Sequence, residues 1–236
     1  MKKFLLAVMT ALLLGTPAMA QSHLSNSLYK EGVRLGNEGK VKEAVGRFQK
    51  AAILEPGVFL YQLKLAYAYE MLKRYPEAQA AYENAIKAKR RSPEAHRGLA
   101  DVLRRAGFYK PAEKEYKKAL RYRRKYKEAL MGLAILYADT KDLDAAAATY
   151  LKVFKLFPKN RDAAFKAANV FWQQKKLDDA IKYYRKALAL DDGFDKARFG
   201  LGLALRDKGD IEGARTELKK ACEHGVKQAC KRLFQL

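Results

Sequence analysis

The chain matches itself every 34 residues with no insertion or deletion, and this period constrains its fold more than any other feature. Alanine recurs at Ala44, Ala78, Ala112, Ala146, Ala180 and Ala214, and four residues beyond each lies Phe48, Tyr82, Tyr116, Tyr150, Tyr184 or Leu218. Twelve residues before each alanine stands a small residue: Gly32, Ala66, Ala100, Ala134, Ala168 or Gly202. A chain built this way must use one local structure six times, because any other solution would break the register of the apolar positions.

The spacing within each unit identifies that structure. Apolar or small residues recur at three and four, so both halves read as amphipathic helices. Small residues alternate with aromatic ones because two helices approach closely while a large side chain fills the gap beside them. Between the halves come turn signals, among them Asn37-Glu38-Gly39, Ala106-Gly107 and Asp207-Lys208-Gly209-Asp210. Pro76 and Pro111 fall in first turns, where a missing N–H is harmless. No segment alternates with period two over strand length, so no sheet is expected.

This pattern resembles the tetratricopeptide repeat (TPR) family. The resemblance implies an all-α, right-handed solenoid of six helix-turn-helix units, 25–58, 59–92, 93–126, 127–160, 161–194 and 195–228, followed by a capping helix over 229–236. Glu31 departs from the pattern, since the matching positions carry Leu or Ala, and a charge is tolerable on a terminal unit. The stretch around Cys222 and Cys230 is similar to the related Sel1-like repeats, whose cysteines at this spacing are joined. The resemblance therefore implies a structural disulfide between them, with two buried free thiols as the alternative.

The first twenty residues read as an export signal. Lys2-Lys3 precede the apolar stretch Phe4 to Leu14, Gly15-Thr16-Pro17 breaks it, and Ala18-Met19-Ala20 offers a small-x-small cleavage site before Gln21. Residues 21–24 then form an N-terminal extension. The apolar stretch is too short to span a bilayer. The expected compartment is the periplasm, with secretion as the alternative.

The residues offer little chemistry. His23, His96 and His224 are scattered, and no metalloprotease helix, phosphate loop or nucleophile elbow is present. Asp178-Asp179 reads as a helix opening and Asp191-Asp192 as an exit turn, so no catalytic residue, metal, cofactor or small-molecule substrate is expected.

Two surfaces are candidates for partners. First-helix residues left over after packing line the inner curve: Tyr67, Met71, Arg97, Arg104, Arg105, Met131, Ile135, Phe165, Asn169, Trp172 and Phe199. This set, rich in aromatics, Met and Arg, suits a helix or apolar segment of an envelope protein. The Lys/Asn clamp by which some TPR domains hold a peptide carboxylate is not reproduced, because Arg97 and Asp101 stand in its place and Phe165 and Asn169 match only half of it. The second surface is basic. The chain carries a formal charge of +22, and its third repeat holds eleven Lys and Arg against four Asp and Glu. Lys114, Lys117, Lys118 and Arg121 lie on the outer helix, Arg123-Arg124-Lys125 fill its exit turn, and Arg90-Arg91 fill the preceding one. The reading is thus a non-catalytic scaffold aided by a basic ridge. The alternative is a polyanion-binding envelope protein recognising anionic lipid, glycolipid or nucleic acid through that ridge, nucleic acid being disfavoured by export.

Overall fold

A computed structural model describes residues 17–236. Among them are thirteen helices and no strand, in two compact units divided after Arg123. The first unit holds α1 (Pro17–Asn37), α2 (Val41–Leu54), α3 (Phe59–Met71), α4 (Tyr75–Ala88), α5 (Pro93–Arg105) and α6 (Tyr109–Tyr122). The second holds α7 (Lys127–Asp139), α8 (Leu143–Leu156), α9 (Arg161–Gln173), α10 (Leu177–Leu190), α11 (Asp195–Lys208), α12 (Ile211–Glu223) and the short α13 (Lys227–Leu233). Odd and even helices pair as the repeat requires, giving a TPR-like solenoid.

The periodic residues are the core. Ala44, Ala78, Ala112, Ala146, Ala180 and Ala214 are buried, as are Phe48, Tyr82, Tyr116, Tyr150, Tyr184 and Leu218. The Tyr82 and Tyr184 rings reach into the next helix pair, where glycines make room. A Cβ added to Gly98 would collide with the Tyr82 ring, and one on Gly200 would stand 2.6 Å from the Tyr184 ring. Burying rings of this size contributes a few kcal/mol each, about 25 cal/mol per Å² of apolar area.

The turn inside each pair is equally periodic. Gly39, Lys73, Gly107, Lys141, Lys175 and Gly209 all have positive φ. In this conformation the next N–H returns to the helix, as in Lys40 N–H to the Leu35 carbonyl at 2.9 Å and Arg74 N–H to Tyr69 at 2.9 Å. Helix starts are capped where the sequence allows: Ser92, Asp142, Asn160 and Asp210 each accept a backbone N–H from three residues on.

Two boundaries differ from the sequence reading. Residues 21–24 are helical and continuous with the first repeat helix, because Gln21 donates to the Leu54 carbonyl at 2.6 Å and buried Ser25 donates to Glu55 at 2.5 Å. The final helix occupies Lys227–Leu233, starting earlier and ending sooner than 229–236, so Cys230 sits within it and not at its start. Glu31 is half-buried and pairs with Arg47 at 3.0 Å, which accounts for its break with the pattern. The export-signal residues up to Thr16 lie outside the described residues, while Ala18-Met19-Ala20 fall in the first turn of α1.

Candidate interaction surfaces

In the first unit the inner faces of α3 and α5 are held by a polar network anchored on the buried tyrosines. Tyr82 donates its hydroxyl to Glu70 at 2.7 Å, and Tyr116 donates to Asp101. Asp101 also accepts from Arg97 at 2.5 Å, and Arg97 in turn donates to the Tyr67 hydroxyl at 3.2 Å and lies over its ring. Arg105 faces Glu70 at 3.7 Å and Arg104 lies beside the Tyr116 hydroxyl. Burial, with Glu70 and Asp101 adding to it, pushes both phenols above their ordinary range, so they remain donors. Arg97 and Arg105 therefore spend charge on neighbouring acids. Met71 is the exception on this face, 69% exposed beside a small apolar recess shared with Tyr67, Val33 and Phe48.

In the second unit the inner face mixes aromatic and polar residues, and four of the predicted ones meet. Phe165, Asn169, Trp172 and Phe199 line one cleft of about 680 Å³, completed by Leu203 and by Val226 from the turn before α13. Phe165 packs on Phe194 with ring centroids 5.1 Å apart and on Tyr184 at 6.1 Å. The Trp172 indole N–H donates to Asp207 at 2.8 Å. Burial pushes the Asp207 carboxyl up, but its bonds from Arg206 and Trp172 outweigh this and hold it below the usual range. Tyr184 donates to the Asn169 amide oxygen at 2.6 Å, which fixes that amide and leaves its N–H groups without an acceptor among the described residues.

Met131 and Ile135 do not join this cleft. Both pack partly on the core of the second unit, and Met131 borders a separate depression beside Phe157 and Pro158. Val226 was missed by sequence reasoning because it lies in the closing turn, where the repeat register gives it no inner-face position. Its signal is the Cys222–Cys230 pair on either side, whose sulfurs stand 2.03 Å apart.

The basic residues divide into tethered and untethered groups. Lys117 pairs with Glu113 and Lys118 with Glu115, both at 2.7 Å, and Arg123 bonds to Glu94. The Arg123–Glu94 pair draws the exit turn of α6 toward the start of α5, close in sequence to Arg90 and Arg91. Arg90, Arg91, Lys114 and Arg121 are exposed and make no ion pair among the described residues. Arg124 and Lys125 are exposed at the start of the second unit.

Three of the four acids in the Asp178-Asp179 and Asp191-Asp192 pairs are engaged elsewhere. Asp178 pairs with Lys208 at 2.5 Å, Asp191 with Arg161, and Asp192 with Arg198 at 2.6 Å. Among the described residues no cluster of His, Cys, Asp or Glu could hold a metal ion, and no helix is long and apolar enough to cross a membrane.

These features define a helical-repeat protein. The tetratricopeptide repeat model matches residues 29–78, 74–110, 97–160, 142–193 and 165–226, so the chain belongs to that family. Solved structures agree in fold. PilW, described as a widely conserved type IV pilus biogenesis factor, superposes with a TM-score of 0.77 at 18% identity, covering 89% of this chain and 98% of its own. PilF of Pseudomonas aeruginosa gives 0.74 at 14% identity, covering 92% and 98%. YrrB, a TPR protein with an unusual peptide-binding site, gives 0.67 at 19% identity, covering 80% and 98%. No curated protein matches the sequence.

Proposed function

We propose that this chain is a non-catalytic, exported scaffold that holds an apolar protein segment, helical or extended, in the cleft of its second unit. The observation that carries this reading is the Asn169 amide among Phe165, Trp172 and Phe199. Apolar walls supply burial while the immobilised amide offers a donor to a backbone carbonyl, which is what segment recognition needs. The internal neutralisation of Arg97 and Arg105 argues against carboxylate capture in the first unit. Export to the periplasm, and hence a partner in the cell envelope, rests on the basic start, the apolar stretch and the Ala18-Met19-Ala20 site. A cysteine pair at bonding distance suits that oxidising compartment and a Sel1-like closing staple.

The test is site-specific crosslinking in intact cells. A photoreactive residue replacing Trp172 should give a discrete protein adduct that survives 0.5 M salt, since burial is not screened. Adding Phe199→Ser should abolish it. An adduct at Lys118 with none at Trp172 would discard the cleft, and a protein retained in the cytosol would discard the envelope partner.

A further inference from the structure

The outer face of α6 carries cations that the repeat scaffold does not need. Lys110, Lys114, Lys117 and Arg121 follow one another at spacings of four, three and four, which aligns them as one stripe on the exposed side of the helix. The chain supplies its own control, because the other repeats present the same four positions. The second has Pro76, Ala80, Glu83 and Lys87, and the fourth has Asp144, Ala148, Leu151 and Lys155. The fifth comes nearest, with Lys182 and Arg185 opposed by Asp178. One fold tolerates all of these sets, so packing does not explain the third. Lys117 is answered by Glu113, but Lys110, Lys114 and Arg121 repel one another on the same face, a cost that an external anion would remove.

Beside the stripe lies a depression of about 660 Å³, floored by Leu99 and Leu103, lined also by Pro111, Gln79, Glu83 and Glu115, and bordered by Phe108, which is 56% exposed. Lys110 and Lys114 form part of its rim. Tyr109 and Tyr122 stand exposed at the two ends of the same helix. Of the acids nearby, Glu113 pairs with Lys117 and Glu115 with Lys118 and His96, while Glu83 accepts only from the neutral Gln79 amide. A nucleic acid or acidic protein would use the cations but gain nothing from the exposed phenylalanine over an apolar floor. An anionic lipid layer uses both, since its phosphates meet the cations while aromatic side chains settle at headgroup depth.

We propose that the outer face of α6 docks the protein onto an anionic phospholipid surface, with the Lys110–Lys114–Lys117–Arg121 stripe on headgroup phosphates and Phe108 inserted among them. The contact is peripheral and reversible, and it is separate from the cleft of the second unit.

Co-sedimentation with vesicles tests this on the full chain. Binding to vesicles containing phosphatidylglycerol should exceed binding to pure phosphatidylcholine and fade at 0.5 M salt. Lys114→Glu with Arg121→Glu should weaken it at least about tenfold, on the order of a fivefold loss for each basic residue removed from the surface. Lys182→Glu with Arg185→Glu makes the same change in net charge on the outer helix of the fifth repeat, at the positions that match Lys114 and Lys117, and should weaken it less than about twofold. Equal losses from the two pairs would show that only the overall charge binds and would overturn the assignment. Phe108→Ser, whose side chain is exposed and whose fold circular dichroism can verify, should reduce vesicle binding while leaving binding to soluble polyphosphate or single-stranded DNA unchanged. If Phe108→Ser has no effect on vesicles and the stripe binds those polymers equally well, the ligand is a soluble polyanion and the lipid proposal fails.

Discussion

His96 and Arg198 stand at the same position of the third and sixth repeats and bond to the same two partners. The His96 ring meets Glu115 Oε2 through Nδ1 at 2.6 Å and the Arg90 carbonyl through Nε2 at 2.9 Å. Arg198 donates to Glu217 Oε2 at 3.0 Å and to the Asp192 carbonyl at 2.6 Å. Each is 3% exposed. A carbonyl only accepts, so Nε2 of His96 is the donor to Arg90, as the Arg198 guanidinium is to Asp192. In the second repeat Gln62 donates from the same position to the Pro56 carbonyl at 3.3 Å. The shared task is to tie the exit loop of one helix pair to the first helix of the next, and where an outer-helix acid is present the donor also answers it.

Removing the Arg198 guanidinium leaves the Glu217 carboxylate and the Asp192 carbonyl without their donor. Arg198→Leu is therefore expected to cost about 3 kcal/mol in urea denaturation, the usual penalty for breaking a buried ion pair from one side. Arg198→Lys should recover only part of it, because an ammonium cannot span both acceptors with a planar fork. A loss below about 1 kcal/mol would mean that water replaces the guanidinium at no penalty.

The Glu115 carboxyl gives a pH prediction. Burial pushes it up, but the hydrogen bonds from His96 and Lys118 outweigh burial and hold it below its ordinary 4.5. A carboxyl depressed in the folded state contributes stability above its unfolded pKa and loses it as pH falls through the folded one. Stability of the native chain minus that of Glu115→Gln should thus shrink from pH 4.5 downward. A difference independent of pH between 3 and 6 would show that the carboxylate form is not favoured.

Lys73, Lys141 and Lys175 are predicted to be improvable. Each has φ near +60°, at the turn position where the first, third and sixth repeats have glycine. A left-handed backbone costs a residue with a Cβ about 1–2 kcal/mol, whereas glycine gives back part of that gain as extra unfolded-state freedom. Lys→Gly at any of the three should stabilise by about 0.5–1 kcal/mol, and Gly107→Lys should destabilise comparably. Denaturation midpoints of the four variants decide the matter, and destabilisation by Lys73→Gly would refute the argument.

These lysines also mark the limit of what the sequence discloses. The core was legible because Ala44 or Tyr82 has the same neighbours in every repeat, so burial follows from register. The Gly39, Gly107 and Gly209 turns were legible because glycine announces positive φ, while Lys73 announces nothing except through its place in the period. Phe165, Trp172 and Phe199 could be gathered from first-helix spacing. Met131 and Ile135 could not be separated from them, because whether a partly apolar face packs inward or lines a cleft depends on the neighbouring side chains. The pairing of Arg97 with Asp101 follows from i,i+4 spacing, but the Tyr67 and Tyr116 hydroxyls that complete the network come from other helices.

The close helix approaches give a paired test. Gly98→Ala drives a methyl group into the Tyr82 ring, which is fully buried and cannot swing aside, so a net cost of about 1–3 kcal/mol is expected despite alanine's better helix propensity. Gly46, inside α2, has nothing within 4 Å of an added Cβ. There Gly→Ala should stabilise by up to about 1 kcal/mol. Opposite signs in thermal melts support close packing against Tyr82, and equal signs would deny it.

The last helix should depend on its crosslink. With seven residues, α13 is too short to persist alone, and among its residues only Ala229 is buried. What holds it is the Leu218–Ala221–Ala229 cluster, with Phe199 and Val226 against it, and the Cys222–Cys230 bond. Closing so small a loop is worth about 2–3 kcal/mol on the chain-entropy model. Cys222→Ala with Cys230→Ala should therefore raise amide exchange across Lys227–Leu233 by about thirtyfold or more while leaving Arg161–Gln173 protected. Val226 forms one wall of the cleft that contains Phe165 and Trp172, so the loosened protein should also bind the proposed segment more weakly. Exchange over α13 that is unchanged by the double substitution would show that the packing of Ala229 suffices and that the cysteines serve another purpose.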